Sequence, residues 1–103
     1  MDRLDAMRVF VAVVDSKGFS AASRALSMPL ATVSRKVAEL ESHIGAQLLI
    51  RSTRKLTVTD SGQRYYEDVR RILDEIGEAE RQASGEYQRP KGLSLLFNRS
   101  VRT

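Results

Sequence analysis

Two groups of residues in this chain have the chemistry to bind a polyanion. The first combines small, hydroxyl-bearing and basic side chains directly after Pro29, namely Ala31, Thr32, Ser34, Arg35 and Lys36. The second is a short polar segment at 51–55 that carries Arg51, Arg54 and Lys55. Guanidinium and ammonium groups attract phosphate, and small side chains let a helix approach base edges closely. These groups indicate nucleic acid as a ligand, although charge alone fits an ordinary solvated surface equally well.

Composition narrows the class of protein. The 103 residues suffice for one small domain, and the net charge of +4 is concentrated, because seven basic and two acidic residues lie from Lys17 to Lys55. The absence of cysteine excludes thiolate chemistry, disulfides and cysteine-based zinc sites. The apolar run from Phe10 to Val14 is too short for a bilayer, and the acidic residues near the N-terminus do not fit a signal peptide. We therefore predict a cytoplasmic protein without membrane association.

The single histidine, His43, lies one helical turn after Glu39. Such a pair could exchange a proton, but on a helix surface it is more often plain polar surface. The sequence has no glycine-rich phosphate loop, nucleophile motif or ligand cluster. We predict no catalytic site, no metal, no cofactor and no enzyme activity.

Hydrophobic periodicity predicts three helices before the basic segment. The first begins at the N-cap Asp2, ends at Lys17-Gly18 and buries a stripe of Leu4, Met7, Phe10, Val11 and Val14. In the second, Ser20 is the predicted N-cap and small residues keep the helix thin up to Leu26. A turn through Pro29 leads to the third, from Leu30 to Gly45, whose predicted buried stripe is Val33, Val37, Leu40 and Ile44.

Short strands are predicted on both sides of the basic segment, at 48–50 and 56–58. The resulting order is helix, turn, helix and basic hairpin. Its dominant use is to lay the third helix, the recognition helix, in the DNA major groove, with the hairpin, or wing, on the flanking backbone or minor groove.

A long helix capped by Thr59 follows the wing. It carries a heptad seam of apolar residues at Gly62, Tyr65, Val69, Ile72, Ile76, Ala79 and Ala83. The start of this seam can pack on the domain core, but the distal part extends beyond so small a core. A second copy of the same helix is the simplest partner, and a lone solvated helix is the alternative.

The stretch FSAASRALSMPLATVSRKVAELESHIGAQLLIRSTRKLTVTDSG resembles the DNA-binding domain of LysR-type transcriptional regulators. The resemblance covers about residues 3 to 87. It implies a winged helix-turn-helix, homodimers formed through the long linker helix, and binding to interrupted palindromes in double-stranded DNA. It also implies regulation by a large C-terminal domain that binds a small-molecule effector, which these 103 residues do not contain.

Two departures from the family pattern change the expectations. Leu30 occupies the position of a usual base-contacting glutamine, so it can meet a thymine methyl group but cannot form a bidentate contact with adenine. Base preference at this position is therefore expected to differ. Pro90-Lys91-Gly92-Leu93 looks like the entry to the effector domain, and the chain then ends, as expected for a truncated piece or an unrelated tail.

Taken together, the predicted fold is mainly α: a winged helix-turn-helix of three helices and a two-stranded wing, then a long dimerisation helix. The predicted divisions are 1–58 for the DNA-binding domain, with the helix-turn-helix at about 19–38, then 59–87 for the linker helix and 88–103 for a linker and truncated tail. The predicted DNA-binding residues are Ser20, Leu30, Ala31, Thr32, Ser34, Arg35, Lys36, Arg51, Arg54 and Lys55. The predicted dimerisation residues are Tyr65, Val69, Ile72, Ile76, Ala79 and Ala83.

Within this prediction, Arg35 reads or clamps the major groove, while Arg54 enters the minor groove. Ala31, Thr32 and Ser34 line base edges and phosphates, and Arg51 and Lys55 contact the backbone. A hypothesis of another class is an interaction module whose coiled coil pairs with a different protein, the winged domain being a scaffold that does not bind DNA.

Overall fold

The computed structural model describes residues 1–52 and 54–85, and in these the predicted order of elements is confirmed. The predicted tail at 88–103 and the last residues of the predicted linker helix lie outside the described residues. The elements are α1 (Arg3–Ser16), α2 (Phe19–Leu26), α3 (Leu30–Ile44), β1 (Leu49–Arg51), β2 (Leu56–Val58) and α4 (Asp60–Ser84). In the described ranges, no helix is both long enough and apolar enough to span a membrane.

Helix α1 begins and ends where its sequence signals predict. The Asp2 carboxylate accepts a hydrogen bond from the Asp5 backbone N–H at 3.2 Å, which satisfies an otherwise unpaired donor of the first turn. At the other end, Lys17 adopts a left-handed conformation with φ 64°, and its N–H donates to the last carbonyls of the helix. These local interactions set the limits of α1 independently of its packing.

The buried face of α1 is centred differently from the predicted stripe. Its most deeply buried residues are Ala6, Val9, Phe10 and Val13, whereas Leu4 is 41% exposed. The reason is that α1 packs against both α2 and α3, so it buries a wide face and not a narrow seam. In α3, Val33, Val37 and Leu40 are buried as predicted, but Ile44 is 39% exposed in the last turn.

The second helix is capped two residues earlier than predicted. Phe19 is its first helical residue and Gly18 its N-cap, so Ser20 is not the cap but an exposed residue of the first turn. Burial of the Phe19 side chain, 8% exposed, explains this start, because the aromatic ring is held in the core. The turn into α3 is closed by the Ser23 hydroxyl, which donates to the Met28 carbonyl at 2.5 Å.

The wing is a two-stranded antiparallel hairpin in which Leu49 pairs with Val58 and Arg51 pairs with Leu56. Its first strand lies one residue later than predicted, at Leu49–Arg51. The cause is Glu41 of α3, whose carboxylate accepts the backbone N–H groups of Leu48 (2.8 Å) and Leu49 (3.0 Å). The Leu48 N–H therefore attaches the wing to α3, and the pairing of the two strands begins at the next residue, Leu49.

Helix α4 is capped by Thr59, as predicted. Its hydroxyl oxygen accepts a hydrogen bond from the Gly62 N–H at 2.9 Å, and its O–H donates to the Gln47 carbonyl at 2.7 Å. The chain divides into two units, residues 1–71 and the part from Ile72 onward, so α4 is shared between them. The predicted boundary at 58/59 therefore precedes a helical segment, up to Arg71, that belongs to the first unit.

Two side chains of α4 attach it to the C-terminal end of α1. The Tyr66 hydroxyl donates to one oxygen of Asp15 at 2.5 Å, and Arg70 donates to the other at 2.6 Å. The hydrogen bond to Asp15 raises the pKa of Tyr66, because the phenol can donate and the phenolate cannot. The bond therefore exists only while Tyr66 is protonated.

Tyr66→Phe is expected to destabilise the protein at neutral pH by about 0.5–1 kcal/mol, the low range for a net hydrogen bond at an exposed site. Because the folded-state pKa is raised above its unfolded value of about 10, the contribution is complete below about pH 10 and lost as pH rises through the folded pKa. Urea unfolding of both proteins at pH 7 and above pH 10 measures this. A difference that persisted unchanged at the higher pH would contradict the role of the hydroxyl.

Candidate nucleic-acid interface

The first two turns of α3 present the side chains that the sequence singled out. Ala31 and Arg35 are exposed, Thr32 and Ser34 are half-buried, and Leu30 is 42% exposed. The helix begins after Pro29, which makes no side-chain capping hydrogen bond. The Thr32 N–H already donates to the Pro29 carbonyl at 3.0 Å, so it is the N–H groups of Leu30 and Ala31 that face an external acceptor. This end of α3 can accept an anion and present small side chains to a partner.

Arg35 points away from the core, and its side chain is 58% exposed. Its guanidinium lies 3.3 Å from the Glu39 carboxylate one turn further along α3. An exposed pair of this spacing contributes only about 0.3–0.5 kcal/mol. Arg35 can therefore exchange this partner for a phosphate or a base at little cost.

The tip of the wing is a closed turn. The Ser52 N–H donates to the Lys55 carbonyl at 3.0 Å, and the Lys55 N–H donates to the Ser52 hydroxyl at 3.1 Å. Arg54 and Lys55 are exposed on this turn. A backbone closed in this way holds the two charges near each other, which favours a polyanionic partner that neutralises both.

Arg51 joins the wing to both helices of the helix-turn-helix. Its guanidinium donates to the Ser34 hydroxyl at 2.8 Å and lies 3.9 Å from the centre of the Phe19 ring. From the end of β1, this one side chain thus contacts both the start of α2 and the recognition helix. This meeting point brings the residues of the helix face and those of the wing into one continuous surface.

A shallow groove runs between the start of α2 and the wing. It is lined by Lys17, Gly18, Phe19, Ser20, Ala21, Arg51, Ser52, Arg54, Lys55 and Leu56. Lys17 is the cation that was absent from the predicted site. Its position directly before the N-terminus of α2, where phosphates bind readily, is the signal that could have identified it.

Lys36 faces a different neighbour from the other predicted DNA-binding residues, and its contact with DNA stays a prediction. Its ammonium group pairs with the Asp5 carboxylate of α1 at 2.5 Å, and its side chain is 21% exposed. One residue along a helix turns the side chain by about 100°, so Lys36 faces α1 while Arg35 faces outward. Lys36 holds α3 against α1.

The predicted dimerisation seam of α4 is divided by the fold. Val69 is 1% exposed, and the Tyr65 ring lies 5.5 Å from the ring of Phe10 within the first unit. Burial raises the pKa of Tyr65. That Val69 forms part of a dimer interface stays a prediction, although a residue already buried adds little area to one. In the second unit Ile72 and Ile76 are partly exposed, and Ala79 and Ala83 are exposed.

The single histidine was the other candidate for chemistry in the sequence. His43 is exposed on the last turn of α3. In residues 1–52 and 54–85, no group of three or more His, Asp or Glu side chains is arranged to hold a metal ion. The chemistry of this surface is that of charge and hydrogen bonding.

Comparison with known proteins agrees with this geometry. The family described as "Bacterial regulatory helix-turn-helix protein, lysR family" matches residues 4–63. An HTH-type transcriptional repressor of Pseudomonas aeruginosa is 42% identical over 92 residues, a match that covers 89% of this chain and 29% of the relative. An HTH-type transcriptional regulator of Xanthomonas campestris is 47% identical over 85 residues, covering 82% of this chain and 24% of the relative.

Among solved structures, the crystal structure of the BenM DNA-binding domain in complex with catB site 1 DNA is similar to this chain. The TM-score is 0.77 at 30% identity, and the match covers 82% of this chain and 92% of that one. The chain spans about a quarter to three tenths of the length of the curated relatives that it matches. It corresponds to a part of longer proteins.

Proposed function

The chain belongs to the lysR family of bacterial regulatory helix-turn-helix proteins, and from this we propose that it binds double-stranded DNA sequence-specifically, as the DNA-binding part of a transcription regulator. The observation that carries the proposal is the convergence of α2, α3 and the wing at Arg51. Around this point lies the proposed DNA surface: Lys17, Ser20, Leu30, Ala31, Thr32, Ser34, Arg35, Arg54 and Lys55. We propose that small-molecule effectors bind to the part of the longer relatives that these residues do not span.

Each element of the surface has a distinct role in the proposal. The first turns of α3 enter the major groove, where Arg35 bonds to guanine or clamps a phosphate. Leu30, exposed at the start of α3, meets a thymine methyl group in place of the amide contact usual in the family. Arg54 at the wing tip enters the minor groove, and Lys17 and Lys55 bind the backbone.

We propose that two copies pair through the distal half of α4. Ile72 and Ile76 are only partly buried within the chain, and Ala79 and Ala83 extend the same seam at heptad spacing. Burial of these apolar residues against their symmetry mates drives the association. A dimer presents two recognition helices, which matches an interrupted palindrome with half-sites about one helical turn or a multiple apart.

The competing function is that of a scaffold, in which the coiled coil binds another protein and the winged domain binds no DNA. Arg35→Ala combined with Arg54→Ala separates the two functions. With a duplex selected from random DNA by the unchanged protein, we expect the affinity to fall by about 30-fold or more. The reason is that each arginine contributes at least about 1 kcal/mol to the free energy of binding. Fluorescence anisotropy across a salt series measures the affinity, and sedimentation monitors the dimer.

A matched control removes the same charge elsewhere. Arg8→Ala combined with Arg64→Ala deletes two exposed arginines outside the proposed DNA surface and should leave the affinity for the selected duplex nearly unchanged. Equal losses in both double variants would indicate non-specific attraction alone. If the unchanged protein failed to select any duplex, the scaffold function would be favoured.

A further inference from the structure

Arg51 occupies a position that differs from that of the other wing cations. Arg54 and Lys55 extend from the closed tip, whereas Arg51 pairs with Leu56 in the last rung of the ladder. Successive side chains of a strand point to opposite faces, so Arg51 lies on the same face as buried Leu49, towards the helices. Its charged end is thus directed towards α2 and α3, although the residue itself is exposed.

The wing depends on such an attachment because it is small. Each strand has three residues, and an isolated two-stranded hairpin of this size is at best marginally stable in water. Glu41 holds the base of the wing through the Leu48 and Leu49 N–H groups. Arg51 is the attachment nearest the tip, so it controls how the tip is placed relative to α3.

The chemistry of the contact requires a guanidinium. The group is planar, carries its donors in a fixed fork and interacts with aromatic rings. Here one N–H is donated to the Ser34 hydroxyl at 2.8 Å, while the carbon centre lies 3.9 Å from the Phe19 ring centre. A lysine ammonium has the same charge but cannot reproduce both contacts from one plane.

We propose that Arg51 is a positioning residue: it fixes the wing and the Ser34 hydroxyl relative to the recognition helix, and it does not neutralise a phosphate. This proposal rests on the proposed DNA-binding function. It assigns Arg51 to the discrimination between sequences, while the salt-dependent attraction comes from Arg54, Lys55 and Lys17. It also assigns a role to Ser34, whose hydroxyl acts as a hydrogen-bond donor towards DNA.

The donor role of Ser34 follows from its hydrogen bond with Arg51, in which the Arg51 N–H is the donor. A serine hydroxyl has one hydrogen to donate and two lone pairs to accept with. Because the Arg51 N–H occupies a lone pair of Ser34, the Ser34 hydrogen turns away from the guanidinium. Ser34 is thereby prepared to donate to an acceptor on DNA, such as a phosphate oxygen or a purine N7.

The first test needs no DNA. Thermal unfolding of Arg51→Gln, Phe19→Leu and the double variant forms a cycle in which the loss of Tm should be non-additive by about 2–8 °C, as expected for one cation–π contact in a small domain. Arg54→Gln with Phe19→Leu is the matched control cycle and should be additive. An additive cycle at Arg51 would overturn the attachment.

The second test uses a duplex selected from random DNA by the unchanged protein and a scrambled duplex of equal composition. Arg51→Lys and Arg51→Gln should both lower the ratio of the two affinities by about tenfold while leaving the salt dependence on scrambled DNA unchanged. Arg54→Gln should instead reduce the slope of log affinity against log salt by about 0.9, the value for one phosphate.

Two outcomes of the second test would overturn the positioning role. One is an Arg51→Lys protein that discriminates as the unchanged protein does, since only charge would then matter. The other is an Arg51→Gln protein whose salt slope falls as in Arg54→Gln, which would make Arg51 a phosphate contact. If the unchanged protein selected no duplex from random DNA, the proposed function would fail, and the thermal cycle would still decide the attachment.

Discussion

Ile76→Asp is expected to dissociate the dimer and to lower the affinity for the selected palindromic duplex by about 100-fold or more. The substitution places an unpaired charge in an apolar, two-fold symmetric interface, where it occurs twice and has no compensating partner. A monomer retains one recognition helix and recognises one half-site. Specific binding normally exceeds non-specific binding by about 1,000-fold or more, so losing half of the contacts moves the protein most of the way to the non-specific level.

Sedimentation at micromolar concentration, read beside binding to whole and half sites, measures both effects. Arg71→Gln is the control, because it changes the net charge by the same amount at an exposed position of the same helix, where Arg71 pairs with nearby Asp68 at 3.2 Å. We expect this control to remain dimeric and to keep its preference for the whole site. An Ile76→Asp protein that remained dimeric would place the interface outside this seam.

Gly62→Ala is expected to destabilise the domain by about 3 kcal/mol or more, which corresponds to about 12 °C or more in Tm for a domain of this size. A Cβ atom at this position would lie 2.1 Å from the Leu48 carbonyl oxygen and 2.9 Å from its carbon. These are backbone atoms, and the same carbonyl accepts the Thr59 N–H at 3.0 Å. Relief of the clash therefore requires moving α4 away from the base of the wing.

Gly77→Ala provides the matched control within the same helix. Its Cβ would meet only the guanidinium of Arg81, at 3.2 Å, and this is the far end of a flexible side chain. Alanine is favoured over glycine in a helix interior by about 0.5–1 kcal/mol, so the control should be neutral or stabilised. Thermal unfolding at one protein concentration measures both variants. Equal stability of Gly62→Ala and the unchanged protein would contradict the close approach of α4.

Local signals were sufficient to predict the order of the elements and most of the exposed cations. Apolar spacing indicated the helices, Asp2 and Thr59 were recognisable caps, and Gly45 ended α3 with a φ of 80°. These features depend on residues at most four apart, so a single sequence contains them. The error at Ser20 is a shift of two residues in the cap, caused by burial of Phe19. The error at the first strand is a shift of one residue, caused by the Glu41 bonds to the wing.

The identity of the partner of each side chain was decided by the tertiary structure. Arg35 and Lys36 are neighbours of like charge, yet Lys36 pairs with Asp5, 31 residues away, while Arg35 stays exposed. Val69 has the spacing of an interface residue, but the first unit buries it.

By itself, the sequence determined the helix-turn-helix, the wing and the basic character of their shared surface. Helix and strand periods, caps and charge are properties of neighbouring residues and are readable without a fold. Only the tertiary structure decided that Arg51 joins the wing to Ser34, 17 residues away, and that Gly62 leaves room for the Leu48 carbonyl. Both depend on distances between elements remote in the chain, which packing sets and local pattern does not encode.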